Sequence, residues 1–257
     1  MNTKTRIPIG LNAGVEAVQK ISSKAHIYYR CGLQPPHYIA NIDAGNGQTT
    51  FTEYVAEVFS DTGIRHFGGL DNYLEFDLDG SMNQLKKVFS EIRSCAVYTN
   101  EFEGIIAMDI TKLAAHINES QIEYFINEIT KMGNYATFIF YVPSIMNRNV
   151  ANLVSKVVGA LNEVEILNMQ PYSNEEIIQI IKVMIEDAGI MIEDSEEINN
   201  MLLNIVVEDE INTVKAAKKF GRKLIKAANF DSFIPKITVD KIRNICFRVV
   251  PVKKGVK

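Results

Sequence analysis

A chain of 257 residues, 47% apolar and 23% charged, can bury one large core or two smaller ones. Its net charge of −4 gives no global signature of a nucleic-acid or anionic-membrane binder. Three scattered cysteines and four histidines without an H-x-x-x-H pair exclude a disulfide framework and a local zinc motif.

Cys31, Cys95 and Cys246 are accordingly expected to be reduced thiols in the core. The opening MNTKTRIPIG lacks an apolar signal core, and no uninterrupted stretch reaches the ~18 apolar residues of a membrane span. The expectation is a cytoplasmic protein with no membrane contact.

In chain order, Leu11, Val15, Val18 and Ile21 fall at helical spacing. Tyr38 to Ile42 forms a short strand after the breaker Pro35-Pro36. Phe51, Tyr54, Val55, Val58 and Phe59 mark the next helix. Gly104 to Met108 is an apolar run ending at Asp109, as expected of a strand buried on both faces. Ile122, Phe125, Ile126, Ile129 and Met132 define a further helix, and Ala136 to Val142 a further buried strand stopped by Pro143. Alternating strands and helices predict a parallel sheet covered on both faces.

After about Gln170 the strand signal fades. Ser173 and Glu176 form a capping-box pattern ahead of Ile177, Ile181 and Ile185, with Gly189 as the stop. Ile198 to Ile205, Val214 to Ala228, and a segment capped by Thr238 complete four helices.

The segment NIDAGNGQTT, Asn41 to Thr50, joins the first strand to its helix. A phosphate cradle uses such a glycine-rich turn, with backbone N–H groups facing the anion at a helix N-terminus. The pattern G-x-x-x-x-G-K-[ST] is met at Gly47 and Thr49, while Ile42 stands for the first Gly and Gln48 for the Lys. Ala44, Gly45, Asn46, Gly47, Gln48, Thr49 and Thr50 are the candidate nucleotide-binding residues of this loop. Asp109, at the carboxyl end of an apolar strand, is placed to hold Mg²⁺ opposite the hydroxyl of Thr49.

Through these motifs the chain resembles the AAA+ ATPases, most of all the Rubisco-activase-like CbxX/CfxQ group with its sporulation-type relatives. The resemblance runs through IGLNAGVEAVQKI, CGLQPPHYIANIDAGNGQTT, LDGSMNQLKKVF, GIIAMDITKL, FIFYVP, PYSNEEIIQIIKVMIEDAG and FGRKLIKAA in order. It implies a P-loop α/β domain over residues 1–169 and a small all-helical lid over 170–257. ATP or ADP with Mg²⁺ would bind between them, in a homo- or hetero-oligomer of AAA+ subunits.

The departures fall on charge. Gln48 replaces the phosphate-contacting lysine, and Ile110 replaces the acid that activates water. No arginine lies between Arg148 and Arg222, so the stretch near Ala160 to Glu163 lacks the residue that reaches a neighbouring subunit. The loop near Leu78-Asp79-Gly80 lacks the pore aromatic. Since a trans arginine supplies roughly 10³–10⁵ in rate, these losses predict a degenerate ATPase-like subunit, weak or non-hydrolysing. Two alternatives stay open: a slow ATPase borrowing Arg148, Glu119 or Glu123, and a nucleic-acid-associated accessory protein.

Lys215, Lys218, Lys219, Arg222, Lys223 and Lys226 form a basic stripe on one helix. The resemblance makes Lys219 or Arg222 the lid residue that senses nucleotide phosphate. The other readings are a solvated face, a contact for the acidic clusters at Glu193 to Glu197 and Glu208 to Glu210, or a nucleic-acid surface.

Overall fold

The computed structural model describes residues 6–65, 73–95, 103–116, 118–193, 195–228 and 235–246. Asp194 of the acidic cluster and the side chain of Cys246 lie outside the described residues. The chain divides into two compact units, Met1–Met169 and Gln170–Lys257.

The first unit runs α1 (Asn12–Ser22), α2 (Ala25–Cys31), β1 (His37–Ala40), α3 (Gln48–Asp61), β2 (Tyr73–Asp77), α4 (Met82–Ser94), β3 (Ile105–Asp109), α5 (Thr111–His116), α6 (Glu119–Met132), β4 (Thr137–Tyr141), α7 (Arg148–Ala160) and β5 (Val164–Leu167). Its five strands pair in the order β2-β3-β4-β1-β5, and every pairing is parallel. The expected parallel sheet with helices on both faces is observed.

One face carries Ile39, Ile106, Met108, Phe138 and Phe140, which pack with α4, α6 and α7 through Leu85, Phe89, Phe125, Ile129 and Leu153. The opposite face is covered by α1 and α3, where Phe51, Val55 and Phe59 are fully buried. A Cβ on Gly14 of α1 would meet Met169 Cε at 2.4 Å and the Phe51 ring at 2.5 Å. The absent side chain is what lets α1 sit this close.

At the amino edge of the sheet, buried His37 accepts a hydrogen bond at Nδ1 from Phe138 N–H at 3.0 Å. Burial, and then the Arg65 charge, push its imidazole down to about 4, so it is neutral near pH 7. Arg65 donates to Thr137 Oγ1 at 3.1 Å and to Tyr135 O at 2.5 Å, which ties the end of α3 to the start of β4.

The second unit holds α8 (Asn174–Asp187), β6 (Met191–Ile192), α9 (Glu196–Glu208), α10 (Val214–Ala227), β7 (Lys236–Ile237) and α11 (Val239–Cys246). The capping box is present at Ser173 and Glu176, and Gly189 takes φ +73° after α8. Ile177, Ile181, Ile185, Ile198, Leu202, Leu224 and Ile242 form the core.

Two expectations are corrected. The second unit is not wholly helical, because β6 and β7 form a short parallel pair. Two-residue strands are too short to show a period. Nor is Cys31 a core thiol: it is exposed at the end of α2, and Cys95 is half-buried.

Candidate functional site

Sheet register places the site. Asp77, Asp109, Tyr141 and Ala40 form one row across four strands at the carboxyl edge of the sheet. Glu75 lies two residues earlier on β2, so its side chain shares their face, the one that α3 covers. The loop from Asn41 to Gly47 leaves β1 along this row.

Gly45 and Gly47 take φ +88° and +94°, in the left-handed region where a Cβ is penalised. These two positions bend the loop into the N-terminus of α3. Asp43 accepts from Ser144 N at 3.1 Å and from Ser144 Oγ at 2.7 Å, which pins the loop to the segment after β4.

Gln48 opens α3 and turns its carboxamide back under the loop. Nε2 donates to Ile42 O at 2.8 Å and to Asp109 Oδ2 at 3.0 Å. The other carboxylate oxygen of Asp109 accepts Thr111 N at 2.9 Å. Thr49 Oγ1 donates to Glu75 Oε2 at 2.9 Å. Buried Tyr141 donates to Gln48 O at 2.7 Å and accepts from Thr52 Oγ1 at 2.7 Å. Desolvation pushes its phenol far above the usual range, so it stays neutral.

Ala44, Gln48, Thr49, Glu75, Asp77, Asp109 and Tyr141 line a cleft of about 190 Å³. Pockets for whole small molecules start at ~300 Å³, so this cleft has room for a phosphate group or an ion rather than a nucleoside. Among the described residues no lysine or arginine lines it, while three carboxylates do. Lys112 Nζ, 2.5 Å from Asp77 Oδ2, offsets one of them from outside.

Of the candidate residues, Ala44, Gln48, Thr49 and Asp109 come together here. Gly45, Asn46, Gly47 and Thr50 follow from the loop and the first turn of α3. Lys219 and Arg222 belong to the second unit, exposed on α10. Ile110 is fully buried in the main core. None of Arg148, Glu119 and Glu123 lines the cleft; the carboxylates that do are Glu75, Asp77 and Asp109.

Sequence reading missed Glu75, Asp77 and Tyr141. The signal for the first two was present: Leu74, Phe76 and Leu78 alternate with Glu75, Asp77 and Asp79, a period-2 strand. In the segment Leu78-Asp79-Gly80, Leu78 is buried and Gly80 takes φ +88°.

The donor set separates metal from phosphate. Thr49 and Asp109 are hard oxygen donors suited to Mg²⁺. Among the described residues no three His, Cys, Asp or Glu side chains gather as a metal shell. An ion held here would therefore take its remaining ligands from water or phosphate. The polyphosphate fits less well, because the loop presents a neutral carboxamide and the wall beside it is anionic.

Among the described residues no helix is long and apolar enough to cross a membrane. No family model and no curated protein sequence matches the chain. Solved structures do. A variant of RuvB from Thermotoga maritima superposes at TM-score 0.61 and 13% identity, covering 93% of this chain and 70% of that one. A second variant gives 0.59 at 15% identity, with 93% and 70% covered. The Thermotoga maritima RuvB described as a Holliday junction branch migration motor gives 0.55 at 15%, covering 91% and 68%. At such identities the likeness is one of fold, and the fold is that of a P-loop AAA+ protein.

Proposed function

We propose that this chain is a degenerate AAA+ subunit that binds nucleotide weakly, does not turn it over, and works by assembly with itself or with an active AAA+ partner. The carrying observation is the internal wiring of the cleft. The carboxamide of Gln48 bridges Ile42 and Asp109, and Glu75 engages the hydroxyl of Thr49. Residues a motor would aim at phosphate and Mg²⁺ are satisfied by one another.

In this reading residues 1–169 are the nucleotide-type domain and 170–257 the lid, with kinship to the CbxX/CfxQ group. Ala44 to Thr50 contribute backbone N–H groups to a phosphate, Thr49 and Asp109 hold Mg²⁺ when it enters with nucleotide, and Lys219 or Arg222 is the phosphate-sensing residue that the family resemblance implies. Bound Mg²⁺ would polarise phosphate oxygens; among the described residues neither a lysine nor an arginine lines the cleft to share that charge. The site is cytoplasmic by expectation, and its protein client is set by the assembly.

Titration calorimetry with ATP and Mg²⁺ tests the reading. Binding weaker than ~100 μM, or none, is expected from an uncharged loop beside carboxylates. Submicromolar binding would sink it.

A second reading is favoured by one observation. Glu75 places a carboxylate at the cleft where Ile110 supplies none, so a slow ATPase would use Glu75 to orient water. The two readings part at Glu75→Gln. The variant loses turnover if Glu75 is catalytic, and gains nucleotide affinity if Glu75 only occupies Thr49.

A further inference from the structure

We propose that the exposed face of α10 binds the phosphate backbone of a nucleic-acid duplex without reading its sequence. Lys215, Lys218, Lys219, Arg222, Lys223 and Lys226 are all exposed. Among the described residues none of the six has an ion-pair partner. The helix contains no acid at all.

The spacing is what separates this face from an ordinary solvated one. Lys215, Lys219 and Lys223 form one i,i+4 ladder, and Lys218, Arg222 and Lys226 form a second beside it. Like charges four residues apart destabilise a helix, and surfaces normally mix the signs. Lys215 also sits in the first turn, where the helix dipole disfavours a cation. The acids that could have been interleaved lie on other helices, as Glu175 and Glu176 on α8 and Glu196 and Glu197 on α9. Here α10 persists because Thr213 caps it and because Val214, Ala217, Phe220 and Leu224 are buried. The helix tolerates a repulsion that a polyanion would relieve.

Geometry and chemistry select the partner. From Lys215 to Lys226 the helix advances about 16 Å at ~1.5 Å per residue, a length over which a duplex carries about ten phosphate charges. The exposed face bears no aromatic ring to stack a base, and five of its six cations are lysines, which meet phosphate as point charges. It therefore contacts backbone, and a duplex suits it better than a single strand. The apolar face of α10 is already buried, so it has no side free to insert into a bilayer. The net charge of −4 does not oppose this, since fields beyond ~8 Å are screened at physiological salt.

The test is fluorescence anisotropy of the full chain with a labelled duplex and the matching single strand, across 50 to 200 mM salt. The comparison variant carries Lys215→Gln, Lys218→Gln, Lys223→Gln and Lys226→Gln. It keeps Lys219 and Arg222, so any role of those two with nucleotide is untouched. For the unaltered chain, log K should fall against log salt with a slope of about −4 to −5, near −0.9 per phosphate engaged. The variant should lose about three units of slope and at least tenfold in affinity at 50 mM salt. Its melting temperature should be unchanged or higher, because repulsion has been removed, so weaker binding cannot be ascribed to unfolding. No binding at 50 mM salt would overturn the proposal, as would salt-indifferent binding, equal binding by the variant, or a tighter grip on single strand, anionic vesicles or an acidic peptide. None of these outcomes bears on ATP affinity, which is measured separately.

Discussion

Gln48 and Asp109 are joined across 3.0 Å, from the first residue of α3 to the last of β3. The bond uses the carboxamide in place of an ammonium group. On the proposed reading the loop is a phosphate cradle that lacks its positive charge. Gln48→Lys should restore that charge within reach of both Asp109 and an entering phosphate. Hydrogen bonds to charged groups contribute about 1.5–3 kcal/mol, so affinity for ATP with Mg²⁺ should rise at least tenfold by calorimetry. An unchanged affinity would mean that the loop is not a phosphate site.

Glu75 is the second lever. Its carboxylate accepts from Thr49 at 2.9 Å and adds negative charge where phosphate would sit. Glu75→Gln keeps the shape and removes the charge. Nucleotide affinity should rise severalfold, and more in low salt than in high salt, because the cleft is open and the repulsion is screened. A fluorescent-nucleotide titration at two ionic strengths reads both effects.

Tyr141 ties the end of β4 to the first turns of α3 through one hydroxyl, bonding Gln48 O and Thr52 Oγ1. Tyr141→Phe removes both bonds and leaves Thr52 Oγ1 only its longer bond to Gln48 O at 3.2 Å. A loss of about 1–3 kcal/mol is expected, read as a lower urea midpoint. Little change in the midpoint would show that water replaces the phenol there.

The fold was legible where burial is two-sided and less so at the edges. β3 and β4 are central strands, and their unbroken apolar runs stand out. β2 and β5 are edge strands with acids on the half-exposed face, and neither was read as a strand. Overlooking β2 is why Glu75 and Asp77 went unforeseen, although their alternation with Leu74 and Phe76 was in plain view. Tyr141 lay inside a recognised strand, but nothing local says that its hydroxyl meets Gln48, 93 positions away in the chain. The loop itself was legible because its glycines and its helix start are local features. That Gln48 turns back to Asp109 is tertiary information.

His37 makes stability depend on pH. Its folded pKa of about 4 lies below the ordinary 6.5, so the folded state resists its protonation. The stability this contributes is complete above pH 6.5 and is lost as pH falls toward 4. Between pH 7 and 4.5 the neutral requirement costs about 2 kcal/mol at 1.36 kcal/mol per pKa unit. Asparagine can accept the same Phe138 N–H without titrating. In urea unfolding, His37→Asn should therefore lose about 2 kcal/mol less than the unaltered protein over that interval. Equal losses would show that other groups carry the acid sensitivity.

A cleft lined by Gln48 and three carboxylates, with no lysine or arginine among the described residues that line it, should not cleave ATP. The direct measurement is steady-state phosphate release by the purified full chain at saturating ATP and Mg²⁺, beside the Asp109→Ala variant. Release at the level of spontaneous hydrolysis, unchanged by the substitution, is predicted. Mg²⁺-dependent turnover that Asp109→Ala abolishes would contradict it.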